Sequence, residues 1–429
     1  MREKKILMMI NFFPPAGGGG VYRPLGFVKY LVRLGWKVTV ITPRPGEYWI
    51  SDPDLAGTVP GEVTIVRTPS LSGFRMLSLV RGRRAGRGSA RSSSRFEWLR
   101  RLSEFCMLPD TYVGWVPFAR RAAMRLCSEQ RFDVLYSTSP PDSTHLAAWS
   151  VARRRSLPWL ADCRDPWISL YLRDPPTALH RRLHERMESR LSDADRILVT
   201  TAWQEEMMRR RFPSCRLERI ENGYDEDDFE GTDELRPPQK PFTIMHCGML
   251  TLGRSSRPVL EGLREVFRRQ PGVRDSIRVL FLGARESENE AWVRRLGLDD
   301  VAVFMDNVAH HECVKLERKS HVLLLVKHDD ERYRGLVPGK VYEYIGARRP
   351  ILAVVPEGEA ADIVTRHNRG EVAWIGDPGR VADAILKMFR LYREGAFESA
   401  YFLDPLPHYS RRTETERLAE ILDELLEEG

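Results

Sequence analysis

The 429-residue chain has no run of about 18 apolar residues, so no membrane-spanning helix is expected. Its first apolar stretch, Ile6–Ile10, is cut off by Asn11 and the Pro14-Pro15 pair. That is too short for the core of a signal peptide. Cysteine is scarce and scattered. Cys106, Cys127, Cys163, Cys215, Cys247 and Cys313 form no C-x-x-C pair and no His/Cys spacing of a zinc site. The expectation is reduced thiols in a cytoplasmic protein, with no metal centre. Short-period repeats are absent too, which excludes collagen and long coiled coil. Apolar residues at 42% and charged residues at 30% exclude a disordered chain.

Charge of one sign is not in large excess. Lys+Arg number 67 against 60 for Asp+Glu, a net +7. That excess is local. Phe74–Leu102 holds nine arginines (Arg75, Arg81, Arg83, Arg84, Arg87, Arg91, Arg95, Arg100 and Arg101) against the single acid Glu97. The segment alone exceeds the net charge of the whole chain, so a uniformly basic nucleic-acid surface is excluded and no nucleic-acid partner is expected. Residues 73–94 have too little apolar periodicity for an ordered element and read as a mobile basic loop.

What is present is alternation. Lys5–Asn11 is apolar between its ends, as a buried parallel strand requires. A proline-glycine loop follows at Pro14–Gly20. Tyr22–Leu34 then has helical spacing through Leu25, Val28, Leu31 and Val32, Gly35 punctuates, and Lys37–Thr42 is the next strand. Later strands are expected at Val63–Arg67, Val134–Ser137, Trp159–Asp162 and Arg196–Thr200. The order restarts at Phe242–Cys247, with Gly248 and Gly253 in the loop and a helix over Pro258–Arg269. Gly231–Pro241, with three prolines, reads as the linker. The expected fold is α/β, with two Rossmann-like domains at residues 1–235 and 240–400 facing a central cleft, and a terminal helix within 405–429. Strand ends and helix N-termini there would favour a phosphorylated ligand.

Four stretches can carry chemistry. Gly17, Gly18, Gly19 and Gly20 let backbone approach a ligand, or form a flexible turn; Arg23 follows them. Asp162-Cys-Arg-Asp-Pro-Trp167 ends a strand with two carboxylates and Arg164, suited to acid/base work or to local capping. Asn222-Gly-Tyr-Asp225, with Phe229, is at least a turn. In Gly335–Leu352, Pro338 and Gly339 open a helix whose N–H groups could cradle a pyrophosphate. Lys340 would add charge there, and Glu343 could accept from ribose hydroxyls. An exposed Lys/Glu pair is the plainer alternative.

In this order the stretches resemble glycosyltransferase family 4, retaining nucleotide-sugar-dependent enzymes of GT-B fold. Asn222–Phe229 is similar to "NGxDxxxF", Gly248-Met-Leu with Arg254 to "GxL…(R/K)", and Lys340–Ala347 with Pro350 to "KxxEYxAxGxP". The resemblance implies that Glu343 binds the ribose and that Arg254 and Lys340 hold the diphosphate. Gly248, Leu336, Val337, Gly339 and Asn222 would surround the donor. It places Gly17–Gly20, Arg23 and Arg164 near the reacting centre or the acceptor, with Asp162 and Asp165 as candidate catalytic groups. The terminal helix would cross back to the N-terminal domain. Two departures stand out. Gly335 occupies the position, eight before Glu343, where many relatives have a second glutamate. Arg254 is followed by Ser255, Ser256 and Arg257, which makes Arg257 a rival phosphate ligand.

The implied reaction is metal-independent, retaining transfer of a sugar from a nucleoside diphosphate sugar, UDP-type by analogy, with no further cofactor. The acceptor would be lipid-linked or a small molecule, in glycan, glycolipid or glycosylated-metabolite synthesis. The basic segment 73–102 would touch anionic lipid at the inner face of the membrane, bind an anionic acceptor, or simply be solvated. Two other readings share the architecture: a nucleotide-sugar 2-epimerase, and a catalytically inactive GT-B regulatory protein.

Overall fold

The structure, a computed structural model, describes residues 3–45, 51–71, 105–251 and 253–428. The segment read as a basic loop and membrane contact, 73–102, lies outside the described residues. Among the described residues no helix is long and apolar enough to cross a membrane. The chain forms two compact units, Met1–Glu221 with Arg412–Gly429, and Asn222–Arg411.

In the first unit the strands are β1 (Lys5–Met9), β2 (Lys37–Pro43), β3 (Thr64–Thr68), β4 (Val134–Ser139), β5 (Trp159–Cys163), β6 (Arg196–Val199) and β7 (Leu217–Arg219). They pair in parallel in the order β3-β2-β1-β4-β5-β6-β7. Both faces are covered, which is why β1 is apolar throughout. Ile6 and Met8 pack on one side with Val28 and Leu31; Leu7 and Met9 pack on the other with Trp115 and Ala147. The terminal helix, Arg411–Glu428, places Leu418, Ile421, Leu422 and Leu425 in the first of these clusters, the i, i+3, i+4, i+7 stripe of an amphipathic helix.

The order of strands reverses between β1 and β4. That is the place where parallel α/β sheets hold ligands, at the carboxyl ends of the strands. The loop leaving β1 runs into helix Gly19–Arg33, which starts three residues before the expected Tyr22. Gly18, at φ 89°, takes the capping position, so Gly19 and Gly20 form the first helical turn and not part of an open loop.

The second unit contains β8 (Phe242–Cys247), β9 (Ile277–Leu282), β10 (Ala302–Met305), β11 (Val322–Val326), β12 (Ile351–Val355) and β13 (Gly370–Trp374), in the parallel order β10-β9-β8-β11-β12-β13. Its reversal lies between β8 and β11. The unit begins at Asn222, well before the proline-rich stretch expected to divide the chain. Buried aromatics decide this: Tyr224 and Phe229 pack with Met245, Val341 and Tyr344. A methyl group at Gly346 would approach their rings to 2.6–2.9 Å, so the glycine is a condition of that packing.

One expectation about cysteine is overturned. Cys247, ending β8, and Cys313, on helix His310–Arg318, form a disulfide; Cys106, Cys127, Cys163 and Cys215 are free. Sixty-six residues separate the two sulfurs in sequence. No spacing rule joins them; only the fold of the second unit does.

Candidate functional site

At the reversal point of the second sheet, β8 delivers Gly248 and β11 delivers Lys327. Gly248 holds φ at 146°, and a β-carbon on it would sit 3.7 Å from both His246 Nε2 and the Lys340 side chain. The loop therefore passes close over these groups as glycine. Helix Gly339–Gly346 starts beside it, with Pro338 at its cap. Lys327, absent from the sequence-based candidates, is 4% exposed. Its ammonium donates to the carbonyls of Tyr333 (2.9 Å) and Leu336 (2.6 Å), pinning the loop that precedes the helix. Burial pulls its pKa down to about 8. The His328 ring stacks on Tyr333 at 4.3 Å and lies 3.4 Å from where a β-carbon on Gly253 would be, so the two glycine-bearing loops meet.

The Lys340 ammonium donates to Glu343 Oε2 at 2.7 Å and lies 3.8 Å from the fully buried Glu317. On the other side of Glu343 stands His310, its Nδ1 3.7 Å from Oε1 and its Nε2 2.9 Å from Asp228 Oδ2. The result is a row of titratable groups: Asp228, His310, Glu343, Lys340, Glu317. Burial opposes charge on Glu343, but Lys340 and His310 outweigh it and hold the carboxyl below its ordinary range. Burial likewise opposes charge on Lys340, and Glu343 and Glu317 reverse the effect. For His310, the bond to Asp228 and the charge of Glu343 overcome burial and push the pKa up to about 9. Glu317 is pushed up to about 8 by burial and by the neighbouring Glu343. His246 donates Nδ1–H to the Leu324 carbonyl (3.0 Å). Burial first, then Lys340 and Arg254, draw its pKa down to about 4, so the ring is neutral and Nε2 is a bare acceptor. Three buried side-chain atoms here make no hydrogen bond within the protein: His246 Nε2, Glu317 Oε2 and Glu343 Oε1. Ordered water or a polar ligand would satisfy such atoms.

The first unit's candidates serve a different purpose. Arg23 and Asp162, 2% and 0% exposed, form a buried pair at 3.0 Å. Asp162 also accepts from Tyr136 (2.6 Å) and Thr138 (3.0 Å), and Arg23 donates to the Glu221 carbonyl (2.6 Å). Burial disfavours the charge on Asp162, but Arg23 and these bonds hold its carboxyl below the usual range. Arg164 donates to the carbonyls of Ser139, Pro140 and Gly20, and Arg67 to that of Pro14, so guanidinium groups anchor the glycine loop. Asp165 lines a small pocket with Ser139, Asp142, His145 and Trp167, and burial raises its pKa.

Residues 17–223 match the family model described as a glycosyl transferase 4-like domain. The first unit therefore carries a glycosyl transferase 4-like domain. The whole length of the chain shares a fold with solved GT-B structures. Sucrose-phosphate synthase from Thermosynechococcus elongatus aligns at 14% identity and TM-score 0.64, covering all of both chains. Anabaena Alr3699/HepE in complex with UDP and glucose aligns at 12% identity and TM-score 0.64, over 98% of this chain and 100% of that one. WaaG, a glycosyltransferase involved in lipopolysaccharide biosynthesis, aligns at 13% identity and TM-score 0.61, over 97% and 99%. No curated protein matches the chain in sequence.

Of the residues expected to surround a donor, Gly248, Lys340, Glu343 and the helix start at Gly339 lie together in the second unit. Arg254 is half-buried near them and, with Lys340, depresses His246. Other expectations need correction. Arg257 pairs with Glu261 at 2.8 Å and lies over the Trp292 ring at 4.5 Å, on the exposed face of its helix, so it is no rival to Arg254. The Leu336 N–H already donates to the Tyr333 carbonyl; for Val337, whose side chain is in the core, the expectation concerns the backbone amide alone. From the Asn222–Phe229 motif, the residue that reaches the charged row is Asp228. Asp162 has no free face for acid/base work, because its oxygens are saturated by Arg23, Tyr136 and Thr138. Arg23 and Arg164 are spent on Asp162 and on backbone carbonyls. D-x-D spacings, on which metal-dependent transferases rely, do occur. Asp52 and Asp225, however, cap their own turns through Asp54 and Asp227 N–H, while Asp193 and Asp195 accept from Trp149 and Trp159. Among the described residues one cluster has metal-ligand spacing, Cys247, Cys313 and Glu317, and its two sulfurs are joined to each other.

Proposed function

We propose that the protein transfers a sugar, with retention, from a nucleoside diphosphate sugar to an acceptor hydroxyl, using fixed cations and amide dipoles at the diphosphate. The observation that carries this reading is the Glu343 carboxylate. One oxygen is committed to Lys340, whose side chain lies against the glycine loop at Gly248, while the other is buried and accepts no hydrogen bond. A ribose hydroxyl supplies the donor it lacks. Lys340, Arg254 and the N–H groups at Gly339 would meet the leaving diphosphate as the anomeric C–O bond breaks and its electron pair departs with that group. Uridine is the base proposed, since similarly folded proteins are described in complex with UDP and with UDP-2-fluoro glucose. The test is a thermal-shift panel of nucleoside diphosphates on wild type and Glu343→Ala. One nucleotide should stabilise the wild type by several degrees and the variant hardly at all. No shift with any of them sinks the proposal.

The acceptor side is proposed to meet anionic lipid. Helix Ala178–Glu188 exposes Leu179 (63%) and Leu183 (36%), with Arg182 and Arg186 on the same stripe. Phe105, 47% exposed, packs tilted against the ring of His180 from that helix, with centroids 4.5 Å apart. Basic residues near an anionic surface contribute about 1 kcal/mol each. Vesicles of phosphatidylglycerol and phosphatidylcholine should pull down wild type and lose about tenfold in affinity for R182E/R186E. Equal sedimentation of both would remove this surface from consideration.

A further inference from the structure

The geometry points to His310, held by Asp228, as a positioning residue that sets the Glu343 carboxylate for the vicinal hydroxyls of a donor ribose; this rests on the donor reading above. His310 opens helix His310–Arg318, and its side chain is 13% exposed. Its two nitrogens face two different carboxylates, Asp228 at 2.9 Å and Glu343 at 3.7 Å. The first distance is a hydrogen bond and the second is longer than one. His310 therefore orients Glu343 by charge without occupying Oε1, which stays available to the ligand. Lys340 fixes Oε2 from the opposite side. Two cations thus grip the carboxylate across its width and leave one oxygen for recognition.

The remaining charged groups around the pair are accounted for. Glu317 lies beyond Lys340 at 3.8 Å, and Arg411 adds a weaker positive field at Glu343. His310 is the cation with an ion-pair distance to Oε1, at 3.7 Å. Asp228 completes the device: a carboxylate on one ring nitrogen fixes the ring plane and favours the doubly protonated ring, so that the other N–H faces Glu343. This gives the Asn222–Phe229 stretch a use beyond its turn, since it carries Asp228 to the donor side of the second unit.

A purely structural His310–Asp228 pair would, when broken, weaken every ligand of the unit alike. A positioning pair would weaken only ligands that use Glu343. The experiment is calorimetric titration of wild type, His310→Gln and Asp228→Asn with the nucleoside diphosphate that the wild type prefers and with its 2′,3′-dideoxy analogue. The expected result is a loss of about tenfold for the ribonucleotide in both variants and less than twofold for the dideoxy analogue. Retained binding of the analogue also shows that the variants fold. Unchanged ribonucleotide affinity, or equal losses for both ligands, overturns the assignment. If the wild type binds no nucleoside diphosphate, the donor reading itself fails and takes this assignment with it.

Discussion

Replacing Asp162 with alanine is expected to lower the free energy of unfolding by about 3–5 kcal/mol, the cost of stripping one partner from a buried ion pair. The reason lies in what remains. Arg23 is 2% exposed, and without Asp162 its guanidinium keeps the Glu221 carbonyl, the face of the Phe27 ring at 4.7 Å and the more distant charge of Glu414, none of which replaces the ion-paired hydrogen bonds it loses. Tyr136 and Thr138 lose their buried acceptor at the same time. The pair joins helix Gly19–Arg33 to β5 across 139 residues, so the loss falls on the packing of the first unit. The double variant R23A/D162A should be less destabilised than the sum of the two single variants, because the second deletion removes a charge that has already lost its hydrogen-bonded partner. The pH dependence has a definite sign. A carboxyl held below its unfolded value contributes stability above about pH 3.9 and loses it as the pH falls through the lower native value. Wild type should thus show a steeper acid limb than D162A, whose remaining low-titrating carboxylates, Glu343 among them, keep part of it. Chemical denaturation between pH 3 and 7 tests both claims; a loss under 1 kcal/mol at pH 7 would mean that Arg23 finds solvent or another anion.

That same pair shows where sequence reasoning stops. Apolar runs announced β1 and β8 because strands buried on both faces have little choice of residue. The terminal helix was legible from Leu418, Ile421, Leu422 and Leu425. The edge strand β7, three residues long, and β13, whose Val372 and Trp374 are exposed, have no such pattern and were missed. Helix His310–Arg318 was missed as well, since Glu317 and Arg318 are buried where a periodic reading expects apolar side chains. With it went His310, Cys313 and Glu317, three of the groups that shape the site. A lone lysine closing an apolar strand was the available signal for Lys327. Asp162 and Arg164 were visible as polar residues at a strand end, yet only three-dimensional contacts reveal that Arg23, Tyr136 and backbone carbonyls already satisfy them. A motif names the residue types; the partners that decide between catalysis and scaffolding come from elsewhere in the chain.

Lys340→Ala should reduce donor turnover by about 10²–10³-fold, the typical loss when one group facing developing negative charge is removed. The row Asp228–His310–Glu343–Lys340–Glu317 makes this residue serve twice. On the donor, its ammonium would counter the charge that grows on the diphosphate as the glycosidic bond breaks, so the loss should fall mainly on kcat. Within the protein it is the cation between two buried carboxylates, 2.7 Å from Glu343 and 3.8 Å from Glu317. Without it, burial and the facing carboxylate favour protonation of Glu343. Donor affinity in the variant should then improve as the pH rises above the ordinary glutamate range, a dependence foreign to the wild type, whose Glu343 is held ionised. Arginine keeps the charge but replaces a compact ammonium with a planar fork, so Lys340→Arg should recover the ionisation of Glu343 more fully than the rate. The measurement is release of the nucleoside diphosphate from the donor that the panel identifies, followed as kcat and KM for the three proteins across pH 5–9. A drop of less than threefold in Lys340→Ala would show that the diphosphate is held by other groups and that Lys340 only balances the two carboxylates.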